Sequence, residues 1–93
     1  MLEKVKSALR LTTNDFDAEL ELLIGAALLD LGIAGVDNRE QTDSLIILAV
    51  TTYCKIHFGF PEKEEFDRLS RSYDEQKAQL GMASGYTNYA AEE

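Results

Sequence analysis

Three features of this 93-residue sequence predict an all-α fold, a small bundle of about four helices with a C-terminal tail. Apolar residues recur at three- and four-residue spacing through four separate segments. Capping side chains and glycines punctuate those segments where helices start and stop. One stretch is rich in β-branched residues, but no second strand-like run exists to pair with it.

The first segment, Leu2 to Arg10, places Leu2, Val5 and Leu9 on one helical face and Lys4, Lys6 and Arg10 on others. Thr12-Thr13-Asn14-Asp15 then offers side chains that cap free backbone donors, so a second helix is expected to start near Asp15. Asp15 and Asp17 complement its positive end. Phe16, Leu20, Leu23, Ile24, Ala27 and Leu31 form its main stripe, which ends around Gly32. A second row, Leu22, Ala26 and Leu29, is apolar on a different side. A helix apolar beyond one stripe is either central to its domain or partly buried against another subunit, so this row is a candidate subunit interface.

A third segment begins near Thr42 to Ser44, contains the run Leu45 to Val50 and continues to Tyr53, Ile56 and Phe58. Its composition also suits a buried strand. Helix is favoured because the helical spacing persists for more than a dozen positions, until Gly59 and Pro61 end it. The final helix, from about Pro61 or Glu62 to Leu80, carries Phe66, Leu69, Tyr73 and Leu80 on one narrow stripe. Residues 1–81 thus read as one helical domain and residues 82–93 as a tail. The tail is either a frayed terminus or, through Tyr86 and Tyr89, an assembly contact, since aromatics are enriched at interfaces.

A chain of this length buries only roughly 60–65% of the surface its unfolded form exposes, so modest stability as a monomer is expected. The 45% hydrophobic fraction requires a core and is too high for a disordered chain. The net charge of −8 is unevenly spread: residues 1–10 carry one acid and three bases, residues 11–54 eight acids and one base. Tight nucleic-acid binding needs a basic stripe that releases counterions, and none can be drawn. No apolar run reaches membrane-spanning length and the N-terminus does not read as a signal peptide, so no membrane association is expected.

Catalytic and metal chemistry find no constellation of side chains. Cys54 and His57 lie three apart, but no other cysteine or histidine exists to complete a zinc site. Cys54 is expected to be a small buried hydrophobe, and His57 a partly buried residue near a helix end. Asp15, Asp17, Glu19 and Glu21 begin like a calcium loop, yet Leu20 stands where that loop needs glycine. On a helix they form two like-charged pairs on adjoining faces, a solvated flank. Gly25, alone inside the second helix, is expected to mark close helix packing. No nucleophile pairs convincingly with the single histidine. The chain is expected not to be an enzyme, with no catalytic, metal or cofactor-binding residue and no cofactor.

Taken as a string, the opening Met-Leu-Glu-Lys-Val-Lys-Ser-Ala-Leu-Arg resembles the head–tail connector (adaptor) family of tailed bacteriophages, whose members are also described as phage DNA-packaging proteins. So does Asp17-Ala-Glu-Leu-Glu-Leu-Leu-Ile-Gly-Ala-Ala, and above all Tyr73-Asp-Glu-Gln-Lys-Ala-Gln-Leu-Gly-Met-Ala-Ser-Gly-Tyr86. The resemblance spans nearly the whole chain. It implies a homo-oligomeric ring below the phage portal protein, made in the host cytoplasm and resident at the head–tail junction of the virion. Such a ring extends the DNA channel and docks a stopper or tail-completion protein. It implies no catalytic residue. An acidic channel wall would let DNA pass without sequence-specific binding, and Asp15, Asp17, Glu19 and Glu21 are candidate channel-facing acids. The alternative is a small helical interaction or regulatory module, monomeric or dimeric, that binds a partner helix through Leu22, Ala26 and Leu29.

Overall fold

The computed structural model describes residues 1–36, 43–59 and 61–82. Among them the chain forms four helices and no strand: α1 (Leu2–Ala8), α2 (Asp17–Ile33), α3 (Ser44–His57) and α4 (Lys63–Met82). The predicted all-α bundle is what the chain builds.

α3 is the central element, packed against α1, α2 and α4. This explains its sequence. Ile46, Ala49, Val50, Cys54 and Ile56 are buried, so burial rather than helix propensity decides the conformation of a β-branched run. Thr52 satisfies its hydroxyl by donating to the Leu48 carbonyl at 3.0 Å. Asp43 caps the helix by accepting from the backbone N–H groups of Leu45 at 2.9 Å and Ile46 at 3.4 Å. Gly59, at φ 79°, turns the chain away after it.

α2 contributes Leu20, Ile24, Ala27 and Leu31 to the core, and α4 contributes Leu69, Tyr73 and Leu80. Two members of the expected stripes depart from them. Phe16 precedes α2 and is exposed, resting edge-on against Phe58 at 5.3 Å between ring centroids. Phe66, on the first turn of α4, is exposed although it continues the stripe of Leu69, Tyr73 and Leu80.

α1 and α2 end alike. The Val36 N–H bonds the Leu31 carbonyl at 2.9 Å around Gly35, whose φ is 92°. The Leu11 N–H bonds the Lys6 carbonyl at 2.9 Å around Arg10, whose φ is 61°. Both are closed helix ends that require a left-handed residue, and only the first uses the glycine that adopts it without strain.

Lys6 corrects the reading that placed it on an outer face. It is buried, with its ammonium 2.6 Å from Asn14 Oδ1 and 2.9 Å from Asp17 Oδ1. A lysine is kept inside by such partners. The bond also ties the end of α1 to the first residue of α2.

Candidate functional site

α2 is apolar on two opposite faces. With about 100° per residue, the buried Leu20, Ile24, Ala27 and Leu31 centre on one side, and Leu22, Ala26, Leu29 and Ile33 centre almost diametrically opposite. On the outer side Leu22 is 73% exposed, Leu29 67% and Ile33 80%, with Ala26 half-buried. Among the described residues nothing covers the candidate row, and Ile33 extends it by one turn. Gly25 borders it: a Cβ there would meet nothing within 4 Å, so the expected close helix packing does not occur among the described residues.

Two polar contacts fix the direction in which the stripe points. At the N-terminal end the Lys6–Asp17 ion pair anchors α2 to α1. Near the other end Asp30 receives a hydrogen bond from the Tyr73 hydroxyl at 2.6 Å and one from Lys77 at 3.2 Å, which anchors α2 to α4. The Tyr73 hydrogen bond holds the Asp30 carboxyl below its ordinary range, against partial burial that pushes it up, and Lys77 adds to the lowering. Burial first, then the Asp30 carboxylate, drive the Tyr73 hydroxyl well above the usual phenol range. Its ring meets Tyr53 edge-on at 5.4 Å.

The four acids do not share one face. Asp15 precedes the helix, Asp17 is engaged by Lys6, and Glu19 and Glu21, two residues apart, stand on opposite flanks about 160° from one another. Glu19 lies on the side of the outer stripe; Glu21 does not.

A second surface runs along α3 and α4. At one end Leu45 and Leu48 of α3, both exposed, face Gln76, Gln79 and Leu80 of α4 across a small apolar groove. At the other end Arg10, Lys55 and Arg68 gather with Glu65 around Leu9 and Phe58 in an open depression. In a chain of net charge −8, this depression sets three cations against one acid, although Arg68 also borders a neighbouring depression with Glu62, Glu64, Glu65, Asp67 and Arg71. Neither its basic end nor its groove is announced by the sequence, because α3 and α4 together line the groove and the segment after α1 adds Arg10 to the basic end.

Cys54 is buried as expected, and burial pushes its thiol up to about 11. His57 is exposed rather than partly buried; it closes α3 with its ring 4.4 Å from that of Tyr53. Among the described residues no three His, Cys, Asp or Glu side chains gather as a metal site would require. Among them too, no helix is long and apolar enough to cross a membrane. Tyr86 and Tyr89 lie outside the described residues. The helix leading to them ends beside α2, where a Cβ on Gly81 would stand 3.6 Å from the Ala34 carbonyl oxygen.

A family model described as phage connector protein matches residues 1–87. No curated protein and no solved structure matches the chain.

Proposed function

The chain belongs to the phage connector protein family, a family of structural proteins, and from that premise we propose that it is a ring-forming subunit of the head–tail junction. In this reading copies assemble below the portal, extend the DNA channel and present a docking surface for a stopper or tail-completion protein. The observation that carries it is the outer face of α2. Leu22, Leu29 and Ile33 expose a continuous apolar row on a helix whose other side already fills the core. Contiguous apolar surface of this kind marks a protein–protein contact, and a small domain gains stability when neighbours cover it.

The remaining assignments follow the same reading. Glu21, on the flank turned from the stripe, is the acid best placed to face the channel, where negative charge repels sliding phosphates. Asp15 raises the negative potential around it, whereas Asp17 is compensated by Lys6, and Glu19 lies on the side of the outer stripe. Residues 82–93, with Tyr86 and Tyr89, act as an assembly contact.

Electron microscopy and sedimentation of the purified chain, alone and with portal-bearing capsids, test the proposal. Closed rings, or copies bound at the portal vertex, are expected. Truncation after Gly81 should leave the helical circular-dichroism signal intact while weakening ring formation. A chain that stays monomeric or dimeric at high concentration and does not bind capsids would instead be a helical interaction module.

A further inference from the structure

The outer face of α2 and the α3–α4 surface carry matching sequences of chemistry in opposite order. Along the outer side of α2, Glu19 comes first and Leu22, Ala26, Leu29 and Ile33 follow, all within a stripe about 80° wide. Along α3, the apolar Leu45 and Leu48 come first and Lys55 follows; on α4, Leu80 borders the apolar end and Arg68 the basic end. The spacings agree as well. Glu19 and Leu29 are ten residues apart, as are Leu45 and Lys55, so each helix separates its charged from its apolar position by about 15 Å.

We infer that the outer stripe of α2 docks in the α3–α4 groove of a second copy of this chain. α2 runs antiparallel to that copy's α3. Leu29 and Ile33 pack over the exposed Leu45 and Leu48 at the rim of the groove, which is itself too small to admit a side chain, and Glu19 meets Lys55 and Arg68. This deepens the connector reading, on which it rests, by naming both halves of the contact.

One chain cannot make this contact with itself. The stripe points away from the side of α2 that faces α3, so its partner groove lies across the molecule. The occupant is a chain rather than a nucleic acid or a membrane, because the stripe is uncharged and flanked by an acid, and the groove that receives it is lined by leucine and glutamine. The match also explains Arg10. It occupies a left-handed position where glycine would be strain-free, and in exchange adds a third cation to the basic end of the groove.

Disulfide trapping between two single-cysteine chains, each carrying Cys54→Ala, tests the pairing. A Leu29→Cys chain mixed with a Leu48→Cys chain should form a cross-link at least 10-fold faster than either chain alone. Glu19→Lys and Lys55→Glu should each weaken assembly, and both changes in the same chain should restore it, since every copy contributes one residue to each neighbour. Leu29→Asp should abolish assembly with an unchanged helical circular-dichroism spectrum. Rings of the cysteine-bearing chains without the mixed cross-link, rings that survive Leu29→Asp, or a dominant cross-link between two Leu29→Cys chains would each overturn this contact while leaving the connector reading in place. A wild-type chain that neither self-assembles nor joins capsids would overturn both.

Discussion

Replacing Tyr73 by phenylalanine isolates the tie between α2 and α4. The ring and its contact with Tyr53 remain; the hydroxyl that donates to Asp30 at 2.6 Å is lost. A hydrogen bond to a charged acceptor contributes about 1.5–3 kcal/mol. Asp30 is 35% exposed and keeps Lys77 at 3.2 Å, so water and the ammonium recover part of that loss. The expected destabilisation is about 1–1.5 kcal/mol, which in a domain of this size lowers the melting temperature by roughly 5–10 °C. Thermal and urea unfolding, followed by circular dichroism, measure it. The pH dependence has a definite sign. Folding lowers the Asp30 carboxyl below its ordinary value, so its stabilisation is complete above the unfolded value of about 3.9 and fades as pH falls through the folded one. The gap between wild type and Tyr73→Phe should therefore be constant above about pH 5 and narrow below about pH 4. Equal midpoints at neutral pH, or a gap that persists undiminished into acid, would refute the assignment.

Lys6→Met should cost about 1–2 kcal/mol, because it leaves Asn14 and Asp17 without the cation that joins them, whereas Lys4→Met on the exposed face should stay within about 0.5 kcal/mol; urea midpoints compare the two. Arg10→Gly should stabilise the isolated chain by about 0.5–1 kcal/mol through relief of the left-handed strain, yet weaken assembly, as paired melting and sedimentation measurements would show. Cys54, buried and with its thiol raised to about 11, should react with a disulfide reagent at pH 8 only as fast as the chain unfolds; rapid labelling under native conditions would place it at the surface.

The sequence reading succeeded where one helix decides the outcome. Periodicity located all four helices, and the length of the apolar run separated helix from strand in α3. The row Leu22, Ala26, Leu29 was visible as a second apolar face, since spacing along one helix is intact in the sequence. Ile33 continues that spacing but was hidden by the glycine before it, which reads as a helix end. Failures arose where a second helix decides. Phe16 and Phe66 continue apolar stripes, but whether a stripe is buried depends on how far the neighbouring helix extends. Lys6 looks like any solvent-facing lysine until Asn14 and Asp17 fold back upon it. The basic depression draws Arg10, Lys55 and Arg68 from three separate elements, so no local pattern foretold it. Gly25 was read as a packing contact inside the chain because a small residue marks close approach without saying by what.

In the proposed contact, the outer α2 stripe and the α3–α4 groove are different surfaces of the same chain, which has a consequence for architecture. A contact whose two halves lie on different faces is never used up by pairing: every copy added offers a fresh stripe and a fresh groove, so growth halts only when the chain of copies bites its own tail. The rotation between the two faces, rather than the strength of their attraction, then sets the circumference. Because Lys6–Asp17 and Asp30–Tyr73 fix how α2 sits against its neighbours, these two polar ties would act as the hinge pins of the proposed ring's curvature. Loosening either is expected to change the diameter of the proposed ring before dissolving it.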